Sequence, residues 1–71
     1  MDVKEAKEAF LSRSPIVWIE LLTEKEYEFP KIEALITRFV RGEGKPILQI
    51  EVLDKSGCTM IINPKQARKK G

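Results

Sequence analysis

Histidine is absent from this chain, cysteine occurs once, glycine and proline four times each, and only five residues are aromatic. Each shortage excludes something. Without histidine the commonest general base near neutral pH is missing, and so is the usual partner of cysteine in zinc sites. A single Cys58 rules out an internal disulfide and fits a reducing compartment. Glycine is too sparse for a phosphate-cradling loop: Gly42-x-Gly44 stands alone between polar residues, with no helix to follow it. Apolar runs such as Ile16–Ile19 stop at four residues, far short of the ~20 that span a bilayer. The first residues, Met1-Asp2-Val3-Lys4-Glu5, are charged and unlike a secretory leader. These absences predict a cytoplasmic, non-enzymatic protein with no cofactor, no metal, no small-molecule substrate and no membrane attachment.

What is present is a chain of 71 residues, 42% hydrophobic and 34% charged with mixed signs. That predicts one domain, 1–71, near the lower size limit for a self-sufficient core. With disulfide and zinc unavailable, association with further copies is the remaining route to extra stability.

The strongest local pattern is Pro46 to Asn63. Asp54-Lys55-Ser56-Gly57 has the composition of a type I turn closed by a left-handed glycine, joining two apolar strands. The turn places Leu53 opposite Thr59, Val52 opposite Met60, Glu51 opposite Ile61 and Ile50 opposite Ile62. Leu48, Ile50, Val52, Met60 and Ile62 then share one face, because strand side chains alternate. Residues 2–12 read as an amphipathic helix. Asp2 is its N-cap, with Glu5 three places on, and Val3, Ala6 and Phe10 form the apolar face. Ser14-Pro15 ends it. Residues 16–22 favour a strand through their β-branched and aromatic start, although Glu20 to Glu26 suits a helix, and Tyr27 to Phe29 is the returning strand.

Residues 31–41 are in conflict. Ile32, Leu35, Ile36, Phe39 and Val40 follow helical spacing, yet the segment is rich in β-branched residues. Here a resemblance enters. Ser14-Pro15-Ile16-Val17-Trp18, Tyr27, Ile32-x-Ala34-Leu35-Ile36-x-Arg38, Leu53-Asp54-Lys55-Ser56-Gly57 and Asn63-Pro64 together resemble small uncharacterised proteins of phages and prophages in Gram-positive bacteria. The resemblance implies successive antiparallel strands, and a setting and not an activity. This chain departs from it at Glu20-Leu21-Leu22, where a compact glycine-containing turn is expected. The fold class expected is therefore α+β: an N-terminal helix on a curved antiparallel sheet of four to five strands in meander order, open or closed into a small barrel. The alternative makes 31–41 a second helix over the 46–63 hairpin. Residues 64–71 are expected as a short basic helical or frayed tail, with Asn63 as cap and Pro64 at the first position.

Two groups of residues are candidates for function. Residues 1–35 carry five cations and eight anions, residues 36–71 eight cations and three anions. The basic half suggests a nucleic-acid or anion surface made of Arg38, Arg41 and Lys45, with Lys65, Arg68, Lys69 and Lys70 as a second, flexible patch. Head-to-tail contact between copies fits the same polarity. A bulge near Thr37 would send Arg38 outward and Phe39 inward. Apolar side chains in excess of what one helix can cover, Leu35, Phe39, Leu53 and Ile61, suggest a self-association face. A homo-oligomer acting on a protein partner is thus the leading expectation, and nucleic-acid binding the alternative.

Overall fold

The computed structural model describes residues 1–70. In order these form α1 (Val3–Ser12), β1 (Ile16–Ile19), β2 (Glu26–Phe29), β3 (Lys31–Arg38), β4 (Ile47–Leu53), β5 (Thr59–Ile62), a 3-10 turn (Pro64–Gln66) and β6 (Ala67–Lys69). The architecture is α+β, with one helix and two three-stranded antiparallel sheets, β2-β1-β6 and β3-β4-β5, not closed into a barrel.

Local chemistry explains the helix ends. The Asp2 side chain accepts from the Glu5 backbone N–H at 2.8 Å, satisfying one of the orphan donors of the first turn. At the other end Arg13 adopts φ 54 and Ser14 donates its backbone N–H to the Ala9 carbonyl at 3.1 Å. The buried face of α1 is made by Ala6 and Ala9, both fully shielded, while Val3 and Phe10 stay 52% and 37% exposed. This corrects the expected anchors. Small side chains let the helix approach the strands closely, and the larger ones fall at the rim of that contact.

The expected single curved sheet is replaced by two sheets, and a proline marks the division. Phe29 pairs with Ile16 in one sheet, and Lys31 pairs with Leu53 in the other. Pro30 alone lies between them; it has no N–H to give to a ladder, and the chain changes sheets there. The β1–β2 connection, Glu20 to Lys25, closes by hydrogen bonds from Glu24 N–H to the Glu20 carbonyl and from Glu20 N–H to the Lys25 carbonyl. Glu24 takes φ 57, the left-handed conformation that the expected glycine would have supplied.

Residues 31–41 form no second helix; Lys31–Arg38 is a strand, paired along its length with β4. The 46–63 hairpin has the anticipated register, Ile50 opposite Ile62 through Leu53 opposite Thr59. Its turn is held by Asp54 N–H to the Cys58 carbonyl at 2.8 Å, and Gly57 takes φ 91.

The expected helical or frayed tail is corrected to one 3-10 turn followed by a strand. Asn63 caps the turn by accepting from Lys65 N–H at 2.9 Å, so the helix-start chemistry operates as read. The helix does not continue because Ala67–Lys69 pairs with β1, Ala67 opposite Trp18 and Lys69 opposite Ile16. Inter-strand bonds and burial of Ala67 outweigh the weak pull of a single helical turn. The core lies between the two sheets and α1: Ile16, Phe29, Ile32, Ile50, Val52 and Ile62 with the alanines, and Trp18, Leu35 and Leu48 packed against them.

Candidate functional site

Strand alternation and the bulge decide which side chains are available outside the core. The bulge in β3 lies between Ile32 and Ala34, at Glu33, not near Thr37. Its early position sets the parity of the remaining strand. Ile32 and Leu35 stand opposite Val52 and Ile50 and face the core; Ala34, Ile36 and Arg38 stand opposite Glu51, Gln49 and Ile47 and face outward. Arg38 is thus exposed as expected, but Phe39 is not turned inward: it lies beyond the strand and is 81% exposed.

Of the four residues expected on a self-association face, Leu53 and Ile61 do share the outer side of β3-β4-β5. Leu35 packs against the core, and Phe39 belongs to the loop after β3. The residues that join Leu53 and Ile61 there are Ala34, Ile36 and Ile47, and none of these five apolar side chains is buried. Gln49 and Glu51 supply polar groups within that patch, and Lys31 and Arg38 lie opposite its margins. Period-two reading of 31–38 already put Ala34 and Ile36 together; the bulge position, invisible in the residue types, separated them from Ile32.

The seven cations expected to form one or two patches divide into two sets. Arg68 meets Glu26 at 3.5 Å, Lys69 meets Glu8 at 4.0 Å and Lys70 meets Glu28 at 2.6 Å. Three of the four cations of the second patch are therefore not a flexible basic tail; their charges are matched by carboxylates of α1 and β2, and Lys65 alone of that patch is left out. Antiparallel pairing of β2, β1 and β6 brings them together, with Glu28 and Arg68 both opposite Val17. Val17 itself is 6% exposed between these ion pairs. The hydrogen bond from the Lys70 ammonium holds the Glu28 carboxyl below its ordinary value, which keeps it ionised and unsuited to donating a proton near neutral pH. Arg38, Arg41, Lys45 and Lys65 make no ion pair among the described residues. Glu43 and Pro46 of the β3–β4 loop, Ile47 and Leu48 of β4 and the Asn63 to Lys65 turn line one cavity with the start of α1, so the loop that holds Lys45 and the turn that holds Lys65 lie at the same end of the molecule.

The other titratable groups serve the backbone. One Asp54 carboxylate oxygen accepts from Ser56 N–H, the Ser56 hydroxyl and Cys58 N–H at 2.7–2.9 Å, and the Ser56 hydroxyl bond is the main reason its carboxyl is held below the ordinary value. Cys58 is exposed and unpaired at the foot of that turn. Among the described residues no three of His, Cys, Asp and Glu are grouped to hold a metal ion, and no helix is long and apolar enough to cross a membrane. Between the sheets runs an open groove lined by Trp18, Tyr27, Phe29 and Met60, its two upper rings 5.7 Å apart. Trp18 donates its indole N–H to Gln66 at 3.3 Å.

No protein-family model, curated protein or solved structure matches this chain.

Proposed function

We propose that this chain is a small non-enzymatic accessory protein of the cytoplasm that acts by self-association, in the phage or prophage setting that its resemblance implies. The observation that carries this reading is the outer face of β3-β4-β5. Ala34, Ile36, Ile47, Leu53 and Ile61 project from one side of a sheet whose other side is core, and all five remain at least partly exposed. Covering such a patch is favourable by about 25 cal/mol per Å² of apolar surface removed from water. A second copy is the occupant chosen, because a chain this small gains core thickness from it and because Glu51 and Arg38, neither with an ion-pair partner among the described residues, lie on the same face and give a self-complementary polar pair.

Sedimentation velocity from low to high micromolar concentration tests this. A concentration-dependent rise in sedimentation coefficient is expected, and Ile61→Lys, at a site 52% exposed in the single chain, should abolish it with the fold intact. A protein that stays monomeric throughout, or an Ile61→Lys variant that still associates, removes this face from the account.

A further inference from the structure

Of the seven candidate cations, the four that make no ion pair among the described residues gather mainly at the β3–β4 loop. Arg38-Phe39-Val40-Arg41-Gly42-Glu43-Gly44-Lys45 holds three of them, and Phe39 between Arg38 and Arg41 is 81% exposed. A large aromatic side chain left in water among cations has no role in the core. It offers a flat π face beside groups that bind phosphate, the two parts that single-strand recognition combines. Gly42, at φ 85, and Gly44 have no heavy atom within 4 Å of where a Cβ would stand, so the loop backbone is open to a close-lying chain. Lys65, on the 3-10 turn, lines one cavity with Glu43 and Pro46 of this loop, which brings a fourth cation to the same end of the molecule.

We infer that the β3–β4 loop, through Phe39 with Arg38, Arg41, Lys45 and Lys65, binds single-stranded nucleic acid, the ring stacking on an unpaired base and the cations neutralising phosphates on either side. Duplex is disfavoured, since its bases are already stacked on each other and withheld from a side chain. An anionic membrane fits less well. The loop tip is Gly42-Glu43-Gly44, so a carboxylate and bare backbone would meet the headgroups first, with Phe39 and the half-covered Val40 set back. Arg68, Lys69 and Lys70 take no part, because their charges are already matched.

Fluorescence anisotropy with labelled oligo-dT and oligo-U of about 15 nucleotides tests the inference. Carrying it out on Ile61→Lys as well as on the unmodified chain separates it from self-association: binding that survives in a monomeric variant belongs to the loop. Binding is expected in low salt. Phe39→Ala should weaken it by roughly tenfold, the equivalent of one lost stack, while Phe39→Tyr retains it. Arg41→Ala with Lys45→Ala should flatten the log–log salt dependence by about 1.4, at ~0.7 per single-strand phosphate. Lys69→Ala should leave that slope unchanged. Circular dichroism of each variant confirms the fold. The inference is overturned if no oligonucleotide binds at micromolar protein in ~50 mM salt, where non-specific binders register. Phe39→Ala binding as tightly as the parent, duplex of the same length binding as tightly as single strand, or phosphatidylserine vesicles capturing the protein better than oligonucleotide would overturn it equally.

Discussion

The two sheets solve the problem of an outer face in opposite ways. In β2-β1-β6 the central outward residue, Val17, is shielded, and the strands beside it carry Glu26 and Glu28 on one side and Arg68 and Lys70 on the other, paired across it. That face is complete within one chain. In β3-β4-β5 the outward face carries Ala34, Ile36, Ile47, Leu53 and Ile61, and Glu51 on that face has no ion-pair partner among the described residues. The difference teaches that net charge per half of the chain is a poor guide to where charge is available. Glu26 and Glu28 of the acidic first half meet Arg68 and Lys70 of the basic end on one sheet, while Arg38, Arg41 and Lys45 at the β3–β4 loop keep no ion-pair partner among the described residues.

The largest effect should come from attacking the completed sheet at its last strand. Removing residues 67–71 leaves β1 and β2 as an isolated hairpin and strips Ala67 from the core, and the cooperative urea transition followed by circular dichroism should vanish. Ala67→Asp, which keeps the chain length, should cost about 3 kcal/mol or more by burying an unpaired charge. Were the truncated protein to unfold as cooperatively as the whole, the tail would be the dispensable appendage that its composition suggests.

Next come two isoleucines on opposite faces of the other sheet. Ile50→Ala should cost about 2–5 kcal/mol, since Ile50 is fully buried. Ile61→Ala should stay within about 1 kcal/mol in the monomer. Equal costs in chemical denaturation below the association range would mean that the outer face is already covered within the chain.

Smaller effects sharpen the comparison. Glu24→Gly, at φ 57 in the β1–β2 loop, should raise stability by up to about 1 kcal/mol by relieving a left-handed conformation. A double-mutant cycle on Glu26 and Arg68, an exposed pair at 3.5 Å, should return less than about 1 kcal/mol. A larger coupling would make sheet β2-β1-β6 depend on its charges and not only on its core.

The smallest effect concerns pH. The Asp54 and Glu28 carboxyls are both held below their ordinary values, so each binds its proton less readily folded than unfolded. The stability they confer is complete above their ordinary values of 3.8 and 4.5 and is lost as pH falls through the lower folded values. Melting temperatures measured between neutral and acid pH should therefore decline, and Asp54→Asn should shrink that decline without reversing it. An acid-stabilised protein would contradict the hydrogen bonds assigned to both groups.

Much of the local structure was legible in the residues. The Asp54–Gly57 turn fixed the register of β4 and β5 pair by pair, and Asp2 and Glu5 located the start of α1. Both depend on groups within five residues of each other, whose geometry is dictated by turn and cap chemistry. The helix-versus-strand conflict of 31–38 could not be resolved from periodicity, because a bulge at Glu33 breaks the period of two and leaves aliphatic residues at helical spacing. The candidate site was legible in part: Arg38, Arg41, Lys45 and Lys65 remain available, while Phe39, expected on a self-association face or turned inward by a bulge near Thr37, is exposed in the loop after β3 because the bulge falls at Glu33 and the strand ends at Arg38.

The sequence by itself determined the 46–63 hairpin, the Asp2 helix cap and the capping role of Asn63, since these rest on contacts between near neighbours. Only the tertiary structure decided that β6 closes onto β1, that Pro30 divides the strands between two sheets, and that Glu26 and Glu28 face Arg68 and Lys70. The first and last of those outcomes join residues some forty positions or more apart, and all three depend on the shared burial of Ile16, Phe29, Ile50 and Ala67 in one core, which no local pattern contains.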